Sequence, residues 1–144
     1  MHFRAAQVND SPVLLELLNL MSIEERAKGC RFSREPTKQF LEHLINDTRN
    51  PFTVCTDRSR IVAFGYGQQK RGMLLLHNFF VLPGFRKRGI ATTIFGRIVN
   101  LAHARKKRLI AYVLSKNAYA LEFWQRKGFV IDRKLSNAVR VSRN

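Results

Sequence analysis

The sequence predicts one α/β domain over residues 1–144: a mixed sheet of about six to seven strands with flanking helices. Three observations carry this. The hydrophobic period switches from helical spacing before residue 50 to β-rich runs after it, and then alternates between the two. Glycine or proline marks element boundaries at Asn50-Pro51, Gly72, Pro83-Gly84, Gly89 and Gly128. No repeat, low-complexity tract or Pro/Gly/Ser linker divides the 144 residues, which is the length of one ordinary domain.

The elements follow in order. His2–Ala6 reads as a first strand. Ser11-Pro12 reads as an N-cap followed by proline at the first helical position. Leu14, Leu17, Leu18 and Met21 then form one apolar stripe. A second helix is predicted from Pro36, with Phe40, Leu41, Leu44 and Ile45 inward, stopped by Asn50-Pro51. Phe52–Thr56 and Ile61–Gly67 read as a hairpin around the polar turn Asp57–Arg60. Gly72 opens a strand, Met73–Leu82, that Pro83-Gly84 closes. Gly89 begins a long helix with Ile90, Ile94, Ile98, Leu101 and Ala102 on one face, and Arg105–Arg108 at its C-terminal end suit the helix dipole. Leu109–Leu114 is a strand, Asn117 caps a shorter helix ending at the C′ glycine Gly128, and Phe129–Arg133 and Ala138–Val141 are further strands.

The charge is lopsided. The chain carries 26 Lys/Arg against 10 Asp/Glu, a net +16. Residues 1–57 hold seven basic and eight acidic side chains, whereas residues 58–144 hold 19 and two. No carboxylate lies between Asp57 and Glu122. That excludes an acidic surface and suits a polyanionic partner. The two cysteines, Cys30 and Cys55, make neither a disulfide framework nor a metal site, which fits a reducing, cytoplasmic setting. The longest apolar stretch, Met73–Leu82, is far short of the ~20 residues of a membrane span, and no signal core opens the sequence, so no membrane partner is expected.

Two segments bear chemistry. Val81-Leu82-Pro83-Gly84-Phe85-Arg86-Lys87-Arg88-Gly89-Ile90-Ala91 lies between a buried strand and a helix N-terminus. Backbone N–H groups, the helix dipole and three cations converge there, which is a cradle for pyrophosphate. Further on stands Asn117-x-x-Ala120-x-x-Phe123-Trp124-x-x-x-Gly128-Phe129. The spacing Arg86-x-x-Gly89-x-Ala91 after Val81-x-Pro83, this second motif, and the element order from residue 2 to about 141 together resemble the GNAT family of acyl-CoA N-acyltransferases.

The resemblance implies a GNAT-like fold, acetyl-CoA as co-substrate, no metal, and acetyl transfer to a primary amine by direct attack in a ternary complex. It implies that main-chain groups of Phe80 and Val81 bind the pantetheine arm where the family's fourth and fifth strands part. It gives Arg86, Lys87, Arg88, Gly89, Ile90, Ala91 and Thr92 to the pyrophosphate, and Asn117 and Phe123 to the cofactor arm. Trp124 stands where many members place a tyrosine that protonates the leaving thiolate; an indole cannot do so. No carboxylate occupies the fourth or fifth strand. His77, four residues before Val81 and expected on its strand face, is the candidate base, with Tyr112, Ser115 and Tyr119 behind it.

The acceptor pocket is expected among Glu24, Glu25, Arg26, Lys28, Arg31, Phe32 and Arg34, whose cations favour an amine on an anionic scaffold. A small-molecule or peptide amine is the first reading. An amine borne on RNA such as aminoacyl-tRNA, held by the basic half, is the second, and a catalytically silent CoA- or nucleic-acid-binding module of the same fold is the third. A homodimer is compatible with all three.

Overall fold

The structure is a computed structural model and describes residues 1–27, 29 and 37–144. Pro36, and the expected acceptor residues Lys28, Arg31, Phe32 and Arg34, lie outside the described residues, as does Cys30. The elements are β1 (His2–Ala5), α1 (Ser11–Ala27), α2 (Lys38–Asn46), β2 (Phe52–Asp57), β3 (Arg60–Lys70), β4 (Met73–Val81), α3 (Ile90–Ala104), β5 (Arg108–Leu114), α4 (Ala118–Arg126), β6 (Val130–Lys134) and β7 (Ala138–Arg143). The α/β expectation is met. A seven-stranded sheet runs in the order β1-β2-β3-β4-β5-β7-β6. Only the β4–β5 pair is parallel, joined by the crossover through α3.

Each face of the sheet carries a helical layer. Leu14, Leu17, Leu18 and Met21 of α1, with Leu41 and Leu44 of α2, bury against Phe52, Phe64, Tyr66 and Phe80. On the other face Ile90, Ile94, Phe95, Ile98 and Ala102 of α3, with Trp124 of α4, bury against Leu74, Leu76, Leu109, Ala111, Val113 and Val141. No helix of the described residues is long and apolar enough to cross a membrane.

Several local expectations are corrected. Ser11 is no N-cap: a 3-10 turn at Val8–Asp10 runs directly into α1, and the Ser11 hydroxyl donates to the Val8 carbonyl at 2.6 Å. Asp10 accepts from the Gln7 N–H at 2.7 Å and both Arg4 Nη atoms at 2.8 and 3.0 Å. The Arg4 guanidinium holds its carboxyl below the usual carboxylate range. Thr37 caps α2, accepting from the Phe40 N–H at 3.1 Å, and the Phe40 side chain faces solvent at 39% exposure, off the buried stripe. Arg108 belongs to β5, not to the end of α3.

One irregularity matters for function. In β3–β4 the register runs Gly65↔Phe79 and then Gly67↔Leu76, so His77 and Asn78 together oppose Tyr66 alone. This is a β-bulge, and its extra residue reverses the alternation of β4. Leu74 and Leu76 before it, and Phe79 and Val81 after it, all pack on the α3 side. Gly65 lets the strand pass here: a Cβ would lie 2.5 Å from the Phe79 ring and 2.6 Å from Ile94. Gly65→Ala therefore overpacks the sheet. It should lower stability by about 1–3 kcal/mol in chemical unfolding, whereas Gly84→Ala, in open space, should be close to neutral.

Candidate functional site

β4 and β5 remain paired only at Met73↔Arg108, Leu74↔Leu109 and Leu75↔Ile110. β4 then continues through Leu76–Val81 and β5 through Ala111–Leu114 without pairing. Each strand is secured on its far side, β4 by β3 and β5 by β7, so the wedge between them is held open by the ladders that flank it. The Leu82 N–H donates to the Val62 carbonyl at 2.9 Å. This sets the ladder's phase: Leu82 and Phe80 turn their main-chain groups toward β3, and Val81 and Phe79 turn theirs into the wedge. Phe80, expected to offer main-chain groups to the wedge, thus turns them to β3, and its side chain is buried on the α1 side.

The cradle stands at the wide end. After the 3-10 turn Pro83–Phe85, Lys87 (φ 64°) and Gly89 (φ 78°) are left-handed, and α3 begins at Ile90. A left-handed residue followed by a helical one points successive N–H groups to one centre. The first intrahelical bond is Thr93 N–H to Gly89 O at 3.0 Å, so the amides of Ile90, Ala91 and Thr92 have no carbonyl of their own helix to donate to. A Cβ on Gly89 would meet nothing within 4 Å, which leaves an approach for a ligand. The Ile90 side chain is buried, so it contributes only its backbone; Ala91 is half-buried and Thr92 exposed.

The cations divide their work. Arg86 stacks over the Phe80 ring at 5.5 Å, donates from Nε to the Val81 carbonyl at 2.8 Å and pairs through Nη2 with Glu24 of α1 at 2.7 Å. It ties the strand end to α1 rather than reaching over the cradle. Arg88 lies over the Phe85 ring at 5.3 Å, and Lys87 is exposed. Lys127, which the motif analysis missed, places its ammonium 3.3 Å from Thr92 Oγ1, over the rings of Phe95 and Phe123. It lies 35 residues from Thr92 in sequence, and only packing of α4 on α3 brings the two together.

Asn117 caps α4, its Oδ1 accepting from the Ala120 N–H at 3.0 Å. Phe123 stands edge-on to Phe95 and Trp124, within a ring cluster that also holds Phe79 and Phe129. Trp124 is 7% exposed and packs at the centre of that cluster.

His77 departs from expectation twice. The bulge turns it to the α1 side, opposite to Val81, where its ring stacks on Tyr66 with centroids 5.2 Å apart. Gln68 Oε1 lies 3.3 Å from its Nε2; with the amide in that orientation the ring proton is on Nε2 and Nδ1 is the acceptor. Burial, aided by the nearby Lys70 charge, pulls its pKa down from 6.5 to about 4. Asn78 Nδ2 donates to the Tyr66 hydroxyl at 3.0 Å, and burial pushes that phenol up to about 12. Tyr112, half exposed, stands across the wedge on β5 opposite Arg140 of β7; its neighbours Ala111 and Val113 face α3, so Tyr112 shares the His77 face. No group of three His, Cys, Asp or Glu among the described residues could hold a metal.

The His77 shift has a consequence for stability. Between pH 6.5 and about 4 the unfolded chain binds a proton that the folded imidazole refuses, so stability falls as pH drops through that window and is fully present above it. At about pH 4.5, wild type should have lost roughly 2 kcal/mol more, relative to neutral pH, than His77→Gln loses in parallel urea titrations. Equal losses would mean that the ring is solvated.

A wedge lined by main-chain groups and ending in a nest of amides has the form that the arm and pyrophosphate of a coenzyme A thioester would need. Comparison with known proteins gives the family. The model of the acetyltransferase (GNAT) domain matches residues 22–138. An uncharacterized N-acetyltransferase of Methanocaldococcus jannaschii is 37% identical over 98 residues, which is 62% of this chain and 43% of that protein; the matched stretch thus spans less than half of the relative. Among solved structures, the PaiA N-acetyltransferase of Thermoplasma acidophilum in complex with coenzyme A superposes with a TM-score of 0.84 at 14% identity, over 99% of this chain and 98% of that one. Ard1 of Thermoplasma volcanium gives 0.80 at 18% identity, over 99% and 95%. At these identities the superpositions speak for the fold, and the domain match for the lineage: the chain belongs to the GNAT acetyltransferase family.

Proposed function

We propose that the protein is an acetyl-CoA-dependent N-acetyltransferase that moves the acetyl group to a primary amine of a small molecule or peptide by direct attack in a ternary complex. The observation that carries this is the β4–β5 wedge running into the Gly89 nest. The pantetheine arm lies along β4 as an added strand, on the main-chain groups of Phe79 and the N–H of Val81, whose carbonyl Arg86 holds. The pyrophosphate sits on the amides of Gly89–Thr92, with Lys87, Arg88 and Lys127 supplying charge. Asn117 and Phe123 border the arm from α4.

The acceptor arrives from the face that holds His77 and Tyr112. Its nitrogen lone pair attacks the thioester carbonyl carbon. The tetrahedral intermediate expels the thiolate as the C–S bond breaks, the nitrogen gives up its proton, and the thiolate gains one from water. His77 is neutral at working pH, and a base of pKa about 4 draws protons weakly from an ammonium. Its Nδ1 therefore orients the amine as a hydrogen-bond acceptor, and the amine loses its proton to solvent. Trp124 contributes by packing. Holding two reactants in one wedge supplies the rate that acid–base groups do not.

Three outcomes follow. Gly89→Glu puts a carboxylate in the nest and a side chain at φ 78°, so calorimetry should show CoA binding weakened at least ~tenfold, with a stability loss of about 1–2 kcal/mol. Unchanged affinity in the folded variant would move the cofactor elsewhere. The log of kcat/KM should climb with pH toward the pKa of the acceptor amine without a bend near 6.5; such a bend, absent in His77→Gln, would make His77 the base. Trp124→Phe should keep most of the turnover.

A further inference from the structure

We propose that the pole of the molecule opposite the cradle docks a nucleic-acid duplex through its phosphodiester backbone. The inference is independent of the acetyl-transfer reading. α3 starts at the cradle and runs 15 residues, about 22 Å, to the other end of the sheet. There the β3–β4 turn and the α3–β5 turn meet, with the Arg108 N–H donating to the Gly72 carbonyl at 3.3 Å. An open hollow of about 460 Å³ lies between them, lined by Gly72, His103, Lys106, Lys107, Arg108 and Asn144, with no Asp or Glu side chain.

Four cations gather here without an Asp or Glu partner among the described residues. Lys70 and Arg71 enter the β3–β4 turn, and Lys106 and Lys107 leave α3. Lys70, Arg71 and Lys106 are exposed and Lys107 half-buried. None of the four forms an ion pair with a carboxylate of the described residues. Their neighbours are committed to the fold. Arg105 donates to the Arg49 carbonyl and Gln69, and Arg108 pairs with Asp132, a carboxylate it shares with Arg140. The arrangement thus separates structural arginines from four cations that pair with no Asp or Glu of the described residues, of which Lys106 and Lys107 share the hollow with the Asn144 main-chain terminus.

The form of the site selects the ligand. Lysines spread over an open hollow meet successive phosphates as point charges, whereas a small anion is held by a closed, bidentate pocket. The exposed aromatics Phe40, Tyr112 and Tyr119 do not line the hollow. His103 is the one ring among the described residues that line it; a single imidazole offers no row of platforms for successive unpaired bases, so the surface suits a duplex backbone rather than a single strand.

The test measures fluorescence anisotropy of labelled 20-base-pair RNA and DNA duplexes, the matching single strands, and inorganic polyphosphate, across a salt series. Two variants are compared with wild type. One replaces Lys70, Arg71, Lys106 and Lys107 with Ser. The other replaces Arg58, Arg60, Arg133 and Lys134, at the cradle end of the strands, with Ser, which removes the same charge. Wild type should bind duplex with log K falling against log[salt] at a slope of about −3 to −4. The first variant should lose at least ~tenfold at 0.1 M salt and most of that slope, with CoA affinity retained as proof of folding. The second should bind duplex as wild type does. Preference between RNA and DNA identifies the source of the duplex. Equal losses in the two variants would show a diffuse field of net charge and overturn the site. So would tighter binding of single strands or polyphosphate than of either duplex, or no duplex binding at low salt.

Discussion

Everything that the site can do depends on two parallel strands staying paired for three residues and then parting. A sheet normally satisfies its backbone internally, and an unpaired strand edge in the middle of one is costly unless something fills it. Here the edge is kept open by the ladders on either side, and the same divergence places the α3 N-terminus at the mouth. The polar backbone that the fold leaves unsatisfied is what a ligand shaped like a short strand with a charged end would satisfy.

The second constraint is the bulge at His77–Asn78. It changes which side chains of β4 see which helical layer, and it sets both the face and the basicity of His77. Burial against Tyr66 makes the imidazole a poor base while keeping it a neutral hydrogen-bonding group. The family's thiolate-protonating position holds Trp124, enclosed by phenylalanines. On the proposed function, chemistry in this wedge therefore leans on alignment and on the acceptor's own state of protonation rather than on an acid–base pair.

Much of this was legible in the sequence, and unevenly so. The cradle could be read because its signal is local: Gly89, the preceding cations and the helix start all fall within one short segment. Asn117 and Gly128 were readable as caps for the same reason. His77 was misplaced because counting by twos along a strand assumes an unbroken ladder, and the residue that breaks it is revealed only by the register with Gly65–Gly67 on β3. That Phe79 rather than Phe80 turns its main chain to the wedge is not legible in β4 alone, since ladder phase depends on the partner strand. Lys127 and the Arg86–Glu24 pair join residues distant in sequence, and no spacing rule reaches across the packing of two helices. Phe40 looked apolar and periodic, yet Leu41 and Leu44 already fill the side of α2 that faces the core.

The aromatic cluster carries one more consequence. The chain has a single tryptophan, and it sits among Phe79, Phe95, Phe123 and Phe129, two of which flank the wedge. Its emission is therefore a built-in optical reporter. With no label or added probe, the intensity and colour of that one indole register whether the space between β4 and α4 is filled, and the same signal follows the loss of the α3 core on unfolding.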